Sequence, residues 1–489
     1  MSNLTQLAPP PYFNVRKPTV LNRLVKSPVF WVMIIAAVLQ FCFYRQINDL
    51  PREISDTPSY LKSPRLQHGE VDLWRTPCYP YFIAAIKSFS SEGNLLRRVV
   101  LAQQVISWIC IFFFFQTARR LLKSTIVTAC ASLYFACHPS ILWFNTYVLT
   151  ESLSISGTVF LIYLLVSYLS RPGYIKAVVI GIIILFLIML RPFFLVLLPI
   201  FLVLWTVRLV VIREHRFREA VGLFSAIIAL MLVLGYGQLF KQQHGVFSWT
   251  AASSHVNQFA MVFQSGFYRN GRGDPAITEW LIEREEVWKK KNPNATRLTS
   301  RLIAPDTPMH GAQIGFEMAF VFDEGSPKMN ERPKYVKDTI RSDRFRWYRY
   351  LLGRFGGIGA DTFEDGFWSS GFPNKSTDID WRIGLTFQSV YVILLLEIIT
   401  LGVIFYHTRR VPWFWSVCWL LIAGIIVTAV IGSMNDWNNR LTVSAIPLVI
   451  LLLARYVDLI VDVVKETCGI RIVQYLKEQS TLPEEEVIP

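Results

Sequence analysis

Asp56, Glu151, Arg75, Arg191 and Arg440 are the residues of this chain whose types best suit chemistry. A carboxylate can take the proton of an attacking hydroxyl, and arginine's planar fork donates two parallel hydrogen bonds to a phosphate. Together they suit a transfer in which a hydroxyl loses its proton while a phosphate departs. Each has a plainer reading alone. Asp56 reads as a solvated loop charge, Glu151 within Thr150-Glu151-Ser152 as a helix-start acid with Thr150 as the cap, and the arginines as side chains snorkelling to lipid headgroups.

Elements that could gather such distant residues follow from composition. Of 489 residues, 53% are hydrophobic and 14% aromatic, and only 17% are charged, against about 25% in an average globular protein. Apolar runs near the length of a bilayer core predict an all-α polytopic membrane protein and exclude disordered, collagenous and disulfide-framework classes. The runs fall at 28–45, 98–117, 125–143, 151–169, 175–190, 193–212, 219–239, 385–406, 412–433 and 441–461, which predicts about ten spans. The seven cysteines are scattered and mostly lie inside these runs, so they suggest neither a disulfide framework nor a zinc cluster.

Lysine and arginine set the orientation. With residues 1–27 in the cytoplasm, the inside loops hold Arg119, Arg120 and Lys123, then Arg171 and Lys176, then Arg213, Arg216 and Arg218, then Arg409 and Arg410. Segment 240–385 holds 20 Lys and Arg against 17 Asp and Glu, so the formal +14 concentrates elsewhere and reflects topology rather than nucleic-acid binding. The expected organisation is a cytoplasmic N-terminus (1–27), seven spans (28–239) with a first outer loop at 46–97, an outer domain (240–385), three spans (386–461) and a cytoplasmic tail (462–489). All five candidate residues then share the outer face.

The outer segments carry their own signals. Prolines at 58, 64, 77 and 80 keep the first loop from forming one long helix, and Tyr79–Phe89 is apolar but too short to span, which predicts an interfacial helix. Segment 240–385 is too long for a plain loop. Within it, Glu279–Lys291 predicts a surface helix, and the basic aromatic stretch Lys334–Arg354 predicts a helix lying on anionic headgroups. His244, His255 and His310 are too far apart for a metal motif.

These motifs resemble the GT-C superfamily of integral membrane glycosyltransferases, near its protein O-mannosyltransferase and lipid A aminoarabinose transferase branch. The residues that carry the resemblance are Asp56 with Tyr60, RTPCYP at 75–80, TES at 150–152, LRP at 190–192 and NRLTVSAIPLVILLLARY at 439–456. It covers roughly 28–240 and 385–461; segment 240–385 corresponds in position only. The resemblance implies transfer of a sugar from a polyprenyl-phosphate-linked donor to a lipid, glycan or protein acceptor on the outer face, usually with inversion, with Asp56 as general base. It implies a catalytic partner in Glu151, which would orient the acceptor, tune Asp56 or hold a metal, and substrate contacts from Tyr60, Arg75, Tyr79, Arg191 and Arg440. Asp56 is followed by Thr57 where many members of the family have Glu or Ser. A divalent cation, Mg²⁺ or Mn²⁺, is compatible with this chemistry without being specified by any motif. Expected partners are the lipid-linked donor, the acceptor and membrane lipids, with no nucleic acid, in a bacterial inner membrane with the site facing the periplasm.

Two other readings stay open. A polysaccharide polymerase or ligase using a polyprenyl diphosphate donor would share a large outer segment with arginines. A lipid-linked sugar transporter would place ionisable groups inside the helices, where Arg208 and Glu397 are the main candidates.

Overall fold

In lipid every backbone polar group must be satisfied within its own segment, so long apolar runs fold as helices. The computed structural model describes residues 27–45, 51, 53, 56–61, 66, 69–89, 92–250, 259, 262, 267–270, 272–291, 297–298, 309–310, 331–345, 347–348, 351, 387–408, 412–432 and 443–480. Its helices are α1 (Pro28–Arg45), α2 (Cys78–Lys87), α3 (Leu95–Leu121), α4 (Thr125–Cys137), α5 (Pro139–Phe144), α6 (Glu151–Ser170), α7 (Tyr174–Leu190), α8 (Leu197–Val211), α9 (Arg216–His244), α10 (Pro275–Lys291), α11 (Arg332–Ser342), α12 (Phe387–Thr408), α13 (Trp413–Gly432) and α14 (Ile446–Ser480). The described residues also include a few short 3₁₀ turns, one helical turn at Thr57–Tyr60, further helical residues around 344–351, and two paired strands, β1 (Arg297–Leu298) and β2 (Met309–His310).

Among the described residues six helical stretches are long and apolar enough to cross a membrane: Pro28–Arg45, Leu95–Leu121, Glu151–Ser170, Pro192–Val211, Arg216–His244 and Val443–Thr467. Shorter apolar helices occupy Thr125–Cys137, Tyr174–Leu190, Leu394–Val403 and Trp413–Thr428. Phe41, Ile182, Val203, Phe224 and Met231 are each more than half exposed. An apolar surface of that extent suits contact with lipid tails rather than water.

The expected span at 125–143 is not one continuous helix. The 125–143 run breaks between α4 and α5 at His138, whose backbone is extended (φ −61°, ψ 121°). The residue before a proline is disfavoured in the helical region, so His138-Pro139 interrupts the apolar run. At the other end of the chain α14 continues unbroken to Ser480, well past the expected boundary at 462.

The helices pack as a bundle, with α9 against α7 and α8, α6 against α3 and α7, and α4 against α1 and α3. Close approach needs small residues at the crossings: a Cβ on Gly222 of α9 would lie 2.8 Å from the indole of Trp205 on α8. Helix α9 ends at Gly245, whose φ of +76° is the left-handed conformation common just past a helix.

The buried charges inside the bundle are paired. Arg208, on the last turn of α8, gives two hydrogen bonds to Glu219 on the first turn of α9 (2.7 and 3.1 Å). Glu397 of α12 takes hydrogen bonds from Arg455 (2.5 Å) and Tyr456 (2.7 Å) of α14. Asp458 of α14 accepts the amides of Lys123 and Ser124, both at 2.8 Å, and so helps satisfy the exposed N-terminus of α4.

The segment between α9 and α12 has its own apolar cluster, which includes Phe259, Ile277, Leu281, Tyr335, Val336 and Trp347. The surface helix expected at 279–291 is α10, with Leu281 buried in that cluster. Within the expected basic aromatic stretch, Tyr335, Val336 and Trp347 turn into the cluster, while Lys334, Lys337, Arg341, Phe345 and Tyr348 are exposed. The apolar stripe of α11 therefore faces a protein core. Leu73 and Leu351 pack against both this cluster and the bundle core.

Candidate functional site

Asp56 precedes a single helical turn, Thr57–Tyr60, with Pro58 at its start. Its carboxylate does not cap that turn. It points at Arg75 instead, with Arg75 Nη2 2.8 Å from Asp56 Oδ1. The same guanidinium donates through Nε to Ser59 Oγ (2.6 Å) and through Nη1 to Tyr60 Oη (3.1 Å). Three of its five N–H groups are thus given to one turn of chain. The guanidinium carbon also lies 4.2 Å from the centroid of the Tyr60 ring, a cation–π distance.

Arg75 is aimed by its own sequence neighbours. Asp72 Oδ1 accepts the amides of Trp74 (2.7 Å) and Arg75 (2.8 Å), an Asx-type turn. The next residue, Thr76, is buried and donates its hydroxyl to the Leu190 carbonyl at 3.1 Å. That bond places the RTPCYP segment beside the end of α7, where Arg191 follows with an extended backbone.

Arg191 faces the second acid. Its Nη1 lies 3.4 Å from Glu151 Oε1, with Glu151 fully buried. Thr150 makes no capping bond; its hydroxyl sits 3.3 Å from Glu151 Oε2, so the reading of Thr150 as a cap gives way to one in which it contacts the buried carboxylate. A buried carboxylate needs compensation of this kind, because desolvation would otherwise be very costly.

Tyr79, on α2, packs beside the first pair and lies near the second acid. Its ring meets the Tyr60 ring edge-on, 5.0 Å between centroids, and its hydroxyl donates to Gln103 Oε1 on α3 at 2.5 Å. Gln103 in turn donates to the Tyr147 carbonyl at 2.8 Å. Burial, with the nearby Tyr60 and Glu151, pushes the Tyr79 phenol well above its ordinary range, so it stays protonated and works as a donor. Asn145 extends the buried polar network, donating to Ser107 Oγ (2.9 Å) and accepting from Ser152 Oγ (2.5 Å).

The expected residues Asp56, Tyr60, Arg75, Tyr79, Glu151 and Arg191 therefore form one neighbourhood built from four separated segments. Arg440 lies outside the described residues, as does His255. Ser59, Asp72, Gln103 and Asn145 were missed. The Asp72 signal was legible, since an Asp two and three residues before the amides it binds is ordinary turn chemistry; Gln103, a lone amide within an apolar helix, gave no clue to its partner. Among the described residues no three His, Cys, Asp or Glu side chains gather as a metal site, and Asp56 and Glu151 are each directed at an arginine. His244 contacts the Val71 carbonyl at 3.0 Å.

No family model matches the sequence, and no curated protein does. Among solved structures the chain is similar to the archaeal oligosaccharyltransferase AglB from Archaeoglobus fulgidus, in complex with an inhibitory peptide and a dolichol-phosphate, at 12% identity and a TM-score of 0.46. The match covers 95% of this chain and 53% of that one, so the chain spans about half the length of that protein.

Proposed function

We propose that the chain is a membrane glycosyltransferase of GT-C type that moves a sugar from a polyprenyl-phosphate donor to an acceptor hydroxyl on the outer, periplasmic face. The observation that carries the reading is the pairing of Arg75 with Asp56 beside the pairing of Arg191 with Glu151 (2.8 and 3.4 Å). It brings together two carboxylates and two guanidiniums, group types that suit proton acceptance and phosphate binding.

The acceptor oxygen attacks the anomeric carbon, and its proton passes to the Asp56 carboxylate. The bond from that carbon to the phosphate oxygen breaks, and the electron pair leaves on the polyprenyl phosphate. Attack opposite the leaving group inverts the anomeric centre. Arg75 fixes the direction of the Asp56 carboxylate and, with its further N–H groups, meets the developing charge on the phosphate, as does Arg191. Tyr60 and Tyr79 wall the site, and Arg440 is a further phosphate contact. Arginines face the phosphate throughout, and no step passes through a divalent cation.

The transporter reading is disfavoured by Arg208 and Glu397, its two candidate groups, since each is closed into a buried ion pair. The test is transfer of radiolabelled sugar by purified protein from a panel of polyprenyl-phosphate sugars, wild type beside Asp56→Asn. Transfer by wild type that disappears in the variant supports the reading; equal turnover by both removes Asp56 as the base.

A further inference from the structure

Residues 69–76 form a strap tied at both ends. At its start the side-chain amide of Gln243, near the C-terminal end of α9, spans two residues: Nε2 donates to the Gly69 carbonyl and Oε1 accepts the Val71 amide at 2.7 Å. A side-chain amide that pairs with one residue's carbonyl and with the amide two residues on does the work of a neighbouring strand. His244 adds its contact with the Val71 carbonyl (3.0 Å), and at the far end Thr76 is tied to Leu190 (3.1 Å).

Between these ties the Asp72 turn sends neighbouring side chains to different bodies. Arg75 reaches Asp56, Ser59 and Tyr60. Leu73 and Trp74 pack against the apolar cluster of the segment between α9 and α12. The arginine at the candidate site and the indole in that cluster are consecutive residues of one turn, closed by a single carboxylate oxygen.

We infer that Asp72 and Trp74 are positioning residues for Arg75, through which the inserted segment sets the aim of that arginine at the donor phosphate. Asp72 acts through its Oδ1, not its charge: the oxygen holds two successive amides, and an asparagine would supply the same acceptor. Trp74 acts as an anchor, because moving the cluster moves the turn. The role at the phosphate rests on the proposed glycosyl transfer; the mechanical link between Asp72, Trp74 and Arg75 does not.

The test uses the full chain in lipid nanodiscs and two readouts. The first is phenylglyoxal modification of Arg75, followed by peptide mass spectrometry with the exposed Arg171 as internal control. Arg75 is expected to react slowly in wild type and in Asp72→Asn, and at least fivefold faster in Asp72→Ala and Trp74→Ala, with Trp74→Phe restoring protection and Arg171 unchanged throughout. The second is binding of decaprenyl phosphate, expected to weaken about tenfold, or about 1.4 kcal/mol, in the two alanine variants and to stay near wild type in Asp72→Asn. Unchanged Arg75 reactivity in both alanine variants overturns the inference, and so does equal weakening in Asp72→Asn, which would make the charge the active feature. Faster Arg75 modification in the alanine variants, with no sugar transfer by wild type, would sink the glycosyltransferase reading and leave the strap in place.

Discussion

Arg75 and Asp56 are 19 positions apart in sequence, and their side chains meet at 2.8 Å. The contact is made by one arginine that serves three acceptors on a single turn, Asp56, Ser59 and Tyr60. A lysine carries the same charge but cannot present a planar fork. Arg75→Lys is therefore expected to keep the fold, at a stability cost of about 1 kcal/mol or less because the pair is partly exposed. Sugar transfer should fall about a hundredfold through misplacement of the phosphate contact. Turnover beside thermal unfolding of the same preparation checks both halves, and a wild-type rate in the lysine variant would remove the fork from the mechanism.

Glu151 and Arg191 should behave differently, since Glu151 is fully buried and the Arg191 side chain only 11% exposed. Removing one partner strands the other charge. Glu151→Leu alone is expected to cost about 3–5 kcal/mol, read as a large fall in unfolding temperature. Glu151→Leu combined with Arg191→Met should recover most of that stability while transfer stays lost. If the double variant were no more stable than the single one, the two side chains would not be coupled.

Cys78 opens α2 next to the site, and burial pushes its thiol up to about 12. A raised thiol pKa means less thiolate at any pH below it, and thiolate is the nucleophile. At pH 8 iodoacetamide should modify Cys78 at least a hundredfold more slowly than a free cysteine of pKa about 8.5. The rate should climb steadily with pH up to about 12. Rapid labelling at pH 8, measured by mass spectrometry on the intact chain, would show that α2 is not packed as described.

Asp458 of α14 holds the chain just before α4 through the Lys123 and Ser124 amides. Asp458→Ala leaves both donors without that acceptor, with an expected cost of about 1–2 kcal/mol, in the range of a lost helix cap. Limited proteolysis should then cut faster between the basic end of α3 and the start of α4, at 119–124, and an unchanged cleavage rate would argue against this tie.

Much of the helical layout was legible, because length and hydrophobicity of a run are local properties that lipid converts directly into helix. The break at His138 was legible in principle from the following proline. The inward turn of Tyr335 and Trp347 was not, since an amphipathic helix rich in arginine reads alike whether its apolar stripe meets a membrane or a protein core.

By itself the sequence determined the residue types and their order: two acids, the arginines, apolar runs of spanning length, and basic loops between them. It could not determine partners. That Asp56 pairs with Arg75 and Glu151 with Arg191, that Tyr79 packs on Tyr60 and bonds Gln103, and that Asp72 holds the Arg75 turn, was decided by tertiary structure. The physical reason is that a buried polar group must find a hydrogen-bond partner wherever the packing of helices brings one within reach, and that reach depends on crossings and ties such as Thr76 to Leu190 across 114 positions.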